Sequence, residues 1–279
     1  MSAAAAVLQV CLNGSRGPRD SAAVPMTPES LAESAARSVA AGAREVRVHP
    51  RTPCGGTSLS PRVLGPVLTA IGAAVGTPVR VTTTASAEPD PGRRVERIRS
   101  WTVLPGLVSV DWHEPGAEEV ATALLERGIA VEAALWSGTD GPARFASSPP
   151  ASRVERVLAK VTAPAMGPDL LAKVTDLDAL AKIADPDLLT EVTDPGLLAQ
   201  AGGRGGDSAA TARVLLPAPA VPPGVPVLLH GVDDGVWPVL RLARRLGAHA
   251  RIGLEDTLFL PDGTRARSNA ELVAAALAY

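Results

Sequence analysis

The sequence predicts an α/β protein, a TIM (β/α)8 barrel folded as a single domain over residues 1–279 with an elaborated sixth βα unit. Three observations lead there. Short apolar runs rich in Val, Leu and Ile recur eight times. Segments with helix-starting signals lie between most of them, and the strand-loop-helix unit repeats every roughly 25 to 35 residues, the rhythm of a parallel sheet. No glycine-rich phosphate fingerprint follows the first run, which counts against a doubly wound open sheet.

Composition bounds the function. The chain is 46% hydrophobic, enough for a sizeable core. Its 27 basic and 29 acidic residues nearly balance, so no field argues for nucleic acid or an anionic membrane surface. Cys11 and Cys54 are too few for a disulfide framework and suit a reducing compartment. The small apolar start, Met1 to Val7, lacks a basic leader, and no apolar run reaches the length of a membrane span. The expectation is a soluble, cytoplasmic protein without membrane or nucleic-acid partners.

Taken in order, Val7 to Leu12 reads as the first strand, closed by Asn13-Gly14. Thr27 caps a helix with Pro28 at its first position, and Gly42 stops it. Glu45 to His49 forms the second strand, Pro61 to Val75 the second helix, and Val79 to Thr83 the third strand. A loop, Ala85 to Pro91, then leads into a helix ending near Trp101. Leu107 to Val110, Ile129 to Leu135 and Arg153 to Val161 are strands four to six, with a helix over Gly116 to Arg127. The charges of the sixth make it an imperfect buried strand. A nine-residue repeat starts at Asp176, Asp185 and Asp194, and reads as short Asp-capped turns broken by Pro within an irregular elaboration over about 162–212. Val225 to His230 and His249 to Leu254 are the last two strands, and helices cover Val236 to Leu246 and Asn269 to Ala278.

In such a barrel the carboxyl ends of the strands share one mouth. Polar residues gather there: Asn13, His49, Arg51, Thr82, Thr83, Thr84, Asp111, His113, Glu132, Trp136, His230, and Glu255 with Asp256. The run Arg251-Ile-Gly-Leu-Glu255-Asp256 is the densest of these. Strand parity places Arg251 and Glu255 on one face, while Asp256 turns away or enters the loop. His249 begins the eighth strand, at the opposite, stability face, and Cys54 reads as an ordinary loop cysteine.

The chain resembles the beta-keto acid cleavage enzymes. The resemblance runs through Pro25-Met26-Thr27-Pro28-Glu29-Ser30, Val48-His49-Pro50-Arg51, Glu88-Pro89-Asp90-Pro91, Gly128 to Glu132, Leu229-His230-Gly231, Arg251 to Asp256, and Ser268 to Val273. It implies a homo-oligomeric TIM barrel binding a divalent metal, usually Zn2+. The implied reaction condenses a small β-keto acid with acetyl-CoA to give acetoacetate and a new acyl-CoA, an acyltransferase chemistry. His49 and Glu255 match metal ligands, and Arg251 and Asp256 match catalytic positions. Thr82 falls where a substrate-contacting Ser is common, and Glu132 matches an acid of the motif at the fifth strand.

The second strand departs from the family's His-x-His pattern, because its first imidazole is replaced by Arg47, which has no lone pair for a metal. Thr52, Thr84, Asp111 and the pair Trp112-His113 also depart from the usual residues. Three readings follow. The metal is kept by a rebuilt set in which His113 or Asp111 joins His49 and Glu255. Alternatively Arg47 replaces the metal by pairing with Glu255, giving a metal-free relative that binds a carboxylate or CoA ligand. In the third, the chain is a decayed copy.

Overall fold

Eight parallel strands close on themselves in sequence order, so each is paired with its neighbour in the chain and the last with the first. In this computed structural model the described residues are 6–136, 139–161, 222, 224–245 and 247–279. The strands are β1 (Leu8–Cys11), β2 (Glu45–Val48), β3 (Val79–Thr82), β4 (Leu107–Asp111), β5 (Ala130–Trp136), β6 (Arg156–Val161), β7 (Val227–Gly231) and β8 (His249–Ile252). Between them run α1 (Pro28–Ala40), α2 (Pro61–Ala74), α3 (Pro91–Arg99), α4 (Ala117–Glu126) and α5 (Gly141–Ala146), followed later by α6 (Val236–Arg245) and α7 (Asn269–Ala278). The nine-residue repeat and its elaboration lie outside the described residues. Among the described residues, no helix is long and apolar enough to cross a membrane.

Local chemistry sets the ends. Thr27 and Ser30 form a reciprocal capping box at α1, and Pro28 fills the first helical position, where its missing N–H costs nothing. Asp90 accepts from Arg93 N at the start of α3, and Ser268 from Glu271 N at the start of α7. Two expectations move. β6 starts at Arg156 because Pro149–Arg153 coils into a 3-10 turn ahead of it. α5 was not foreseen, since six residues are too short to show a helical period.

β8 stops at Ile252, two residues before the expected end. Gly253 O then accepts from Asp256 N at 2.8 Å and Thr257 N at 3.0 Å, so the chain bends sharply over the end of β1. Glycine is required there: any Cβ at Gly253 would strike the Cys11 carbonyl. Gly253→Ala is expected to cost about 1–3 kcal/mol through forced backbone displacement. A urea midpoint checks this; an unchanged midpoint would show that the bend has slack.

The two faces of the barrel wall differ in chemistry. Outward-facing Val10, Val46, Val48, Val81, Val108, Val131, Val157 and Ile252 pack with helix residues such as Leu31, Leu64, Ile71, Leu124 and Leu272 in one apolar layer. Each such side chain contributes roughly 1.5–3 kcal/mol on burial. The alternate residues point inward, and many are charged.

In the lower barrel Glu132 accepts from Arg47 Nη1 at 3.0 Å, Ser109 Oγ at 2.8 Å and Arg156 Nε at 2.7 Å. Glu45 accepts from Arg156 Nη1 at 2.9 Å, Gln9 Nε2 at 3.0 Å and Arg80 Nη2 at 2.5 Å. His249 lies at this end, where its Nδ1 accepts from Val7 N. Ala134, Leu158 and Leu228 form a small apolar cluster, each two residues further along its strand than the register of this network. The Arg and Lys of β6 are therefore not defects of a buried strand: they are its inward face.

Candidate functional site

Above that apolar cluster the barrel opens into a hollow whose wall includes Arg47, His49, Asp111, Trp136, Lys160, His230, Arg251 and Glu255. Asn13 joins the first two strand ends. Its Nδ2 donates to His49 O at 2.9 Å and its Oδ1 accepts from His49 N at 3.0 Å, which fixes the His49 backbone at the rim.

Arg251 is the centre of charge. Its Nη2 donates to Glu255 Oε1 and to Asp256 Oδ1, both at 2.7 Å, and its Nε reaches Asp256 Oδ1 at 3.2 Å. Of the two alternatives for Asp256, the loop holds: it lies in the turn after β8, and the Gly253 bend returns it to Arg251. Asp256 Oδ1 also meets His230 Nε2 at 2.8 Å. Burial opposes ionisation of Glu255 and Asp256, but Arg251 outweighs it and holds the carboxyl of Glu255 well below the usual range and that of Asp256 below it. Burial also works against the charge on Arg251, and Asp256 overrides it, keeping the guanidinium protonated.

His230 is buried and its pKa falls to about 4, first through burial and then through Arg251. It is therefore neutral in the folded protein at neutral pH. Because its folded pKa lies below the ordinary 6.5, the unfolded chain binds the extra proton first on acidification. The stability held by neutral His230 is full above pH 6.5 and is lost as pH falls towards 4. The loss is expected to be up to about 3 kcal/mol. Unfolding of His230→Asn and the parent between those pH values checks this, since a parent curve no steeper than that of the variant would remove His230 as the cause.

Two further atoms face each other without a hydrogen-bond partner. His49 Nε2 and Glu255 Oε2 are buried and 3.4 Å apart. The replacement ligands are not assembled around them. Asp111 Oδ1 accepts from Trp136 Nε1 at 2.6 Å, and His113 packs its ring on Trp136 at 4.6 Å between centroids. Among the described residues, the one group of three potential ligand atoms within 4.8 Å of one another is Cys11, Glu255 and Asp256. Its thiol is held protonated, with a pKa pushed well up by burial.

The expected pairing of Arg47 with Glu255 is overturned. Arg47 Nη1 binds Glu132, which belongs to the strand-borne network below, while Glu255 is served by Arg251. Glu132, fully buried and bound to Arg47, Arg156 and Ser109, sits beneath the hollow and not in its wall. Thr82 is buried, with its hydroxyl unpartnered, and is likewise absent from that wall. Lys160 was missed as a site residue, although the alternation of Arg156, Leu158 and Lys160 along the sixth strand could have signalled it.

The sequence matches the beta-keto acid cleavage enzyme family over residues 5–279. The chain belongs to that family. No curated protein matches it. Among solved structures it is similar to ObcA in a binary complex with oxaloacetate, at 17% identity and a TM-score of 0.59, covering 90% of this chain and 62% of that one. It is also similar to ObcA in a ternary complex with a C4-CoA adduct and oxalate, at 15% identity and a TM-score of 0.62, with 90% and 62% covered. The chain thus spans about three fifths of the length of ObcA, and the likeness is one of fold.

Proposed function

We propose that the hollow carries out a β-keto acid cleavage-type acyl transfer, in which a small β-keto acid and acetyl-CoA give acetoacetate and a new acyl-CoA. The observation that carries this reading is the Arg251-Asp256-His230 arrangement at the barrel mouth of a family member. Arg251 spends Nε and Nη2 on its carboxylates and keeps Nη1 for the carboxylate of a substrate. Asp256 Oδ2 has no partner, and Asp256 lines the adjoining hollow beside Lys160, His230 and Arg251; in this reading it takes a proton from the carbon between keto and acid groups. His230 holds Asp256 in place through the other oxygen. In this reading Glu132 acts from the network beneath the hollow, and Thr82, buried with its hydroxyl unpartnered, keeps the substrate role implied by the resemblance.

A divalent metal, zinc in the first instance, would find in His49 Nε2 and Glu255 Oε2 two of the three protein ligands usual for such a site. Two ligands at about 2.0–2.1 Å from one tetrahedral ion stand about 3.3–3.4 Å apart, close to the spacing found. Arg251 holding Glu255 through Oε1 orients Oε2 towards His49. When bound, the ion would supply Lewis-acid polarisation of the keto oxygen. We place it there in preference to the Cys11 group, whose two carboxylates are both held by Arg251.

The test is metal content of protein purified without chelator and challenged with zinc, followed by a screen of β-keto acids with acetyl-CoA for new thioesters. About one ion per chain, lost in His49→Ala, together with a thioester product, is the expected result. Loaded protein that converts no keto acid would overturn the reading.

A further inference from the structure

The mouth holds a group to which none of the roles above falls. Lys160 lies near the end of β6, in register with Trp136 on one side and His230 on the other. Its Nζ stands 3.6 Å from the centroid of the Trp136 ring. Among the described residues no carboxylate forms an ion pair with it, although Asp111, Glu255 and Asp256 share its surroundings. It borders both the central hollow and an adjoining one formed with Ser15, Arg16 and Asp233.

The choice of residue is itself informative. The whole sequence contains three lysines, Lys160, Lys173 and Lys182, against 24 arginines. Every other strand-borne cation of the interior, Arg47, Arg80, Arg156 and Arg251, is an arginine tied to carboxylates. A guanidinium would serve a purely electrostatic role at least as well, whereas only an amine can give up its proton and become a nucleophile.

We propose that Lys160 is a catalytic amine that forms an imine with the keto group of the substrate. The inference rests on the β-keto acid reading and not on the metal: the imine expels the keto oxygen, so it takes the place of the ion's polarisation of that oxygen. In the step, the lone pair of Lys160 Nζ attacks the keto carbon and forms a C–N bond, while the carbonyl π pair moves to oxygen. That oxygen takes one proton from the amine and one from solvent, and leaves as water. The product is a protonated C=N linkage, whose positive nitrogen draws electrons from the adjacent carbon and makes its proton easier for Asp256 to remove. Burial, and then the charge of Arg251, lower the pKa of Lys160, which favours the neutral amine the attack needs. The Trp136 face holds the amine without the hydrogen bond that a carboxylate partner would impose.

The experiment uses the full chain with acetoacetate as the probe, in the presence and absence of borohydride. Binding is measured separately by calorimetry on the parent and on Lys160→Arg, and thermal unfolding shows whether the variant is folded. The expected result is a borohydride-dependent adduct mapped by peptide mass to Lys160, absent in Lys160→Arg although that variant still binds the acid. Acetoacetate that binds without an adduct at Lys160, or an adduct confined to Lys173, Lys182 or the amino terminus, overturns the imine and leaves the keto-acid reading in place. Should neither acetoacetate nor any longer β-keto acid bind the parent, the functional reading falls and the imine with it.

Discussion

Arg251→Met is expected to abolish turnover and to cost about 3–5 kcal/mol of stability at neutral pH. The guanidinium is 2.7 Å from both Glu255 and Asp256, so its removal takes from two neighbouring buried carboxylates their main counter-charge. In the parent both carboxyls titrate below their ordinary range, which places their stabilising effect above that range and lets it fade on acidification. In the variant, burial is opposed only by His49 and Arg47 at Glu255 and by His230 at Asp256, so the carboxyl pKa values rise and the folded state takes up protons before the unfolded one. Its deficit relative to the parent is therefore largest near neutral pH and narrows as the pH falls. Denaturant unfolding at several pH values measures this directly. A deficit that stays constant with pH would show that lost packing, and not the unpaired carboxylates, causes the damage. Arg251→Lys restores one charge without the fork that reaches both acids, and is expected to recover stability more than activity.

Glu132→Gln is the second large effect, again about 3–5 kcal/mol, and it arises beneath the mouth. Glu132 is the shared partner of Arg47 and Arg156 and has a pKa of about 2: burial opposes its charge, and the two guanidiniums override it. An amide of the same shape leaves Arg47 facing a neutral group and Arg156 with Glu45 alone. Arg47→Met should be milder, because Arg156 and Ser109 still hold the carboxylate. Combining the two changes should cost less than the sum, since residues in one network couple by about 0.5–3 kcal/mol. Urea unfolding of the four proteins gives the coupling; simple additivity would mean that Arg47 and Glu132 do not act as a pair. The same geometry bears on Arg47→His, which sets two imidazoles two residues apart at β2 but removes one of the two cations holding Glu132.

Much of the barrel was legible because its outward face is written in Val, Leu and Ile between Gly, Pro and Asp, and that alternation is local. β1 to β5, α1 and α7 follow from such runs with shifts of one or two residues. The inward face was harder to read. Which carboxylate lies across the barrel from Arg47 depends on closure of the whole sheet, and near-neighbour parity could not choose Glu132 over Glu255. Lys160 was passed over for a related reason: charge in a strand looks like poor burial until the interior is known to be polar. The return of Asp256 to Arg251 was hidden because it depends on a single glycine pressed against Cys11. His49 directly follows β2, whereas Glu255 lies past the Gly253 bend, and the two stand 3.4 Å apart.

The pairing of β1 with β8 has a consequence for how the protein is made. Gln9 lies opposite Arg251, so the last seam joins segments from the two ends of the chain. His49 comes from early in the sequence and Glu255 from late in it, and they meet only when that seam is formed. Contacts of such long sequence separation carry a large loop-closure cost and form slowly. On a ribosome the first five strands emerge long before Arg251 is synthesised, and the nascent sheet must hold an open edge until then. Ligand binding at the mouth is consequently a reporter of completed closure: a truncated or stalled chain can carry His49, Lys160 and most of the strands and still have no site.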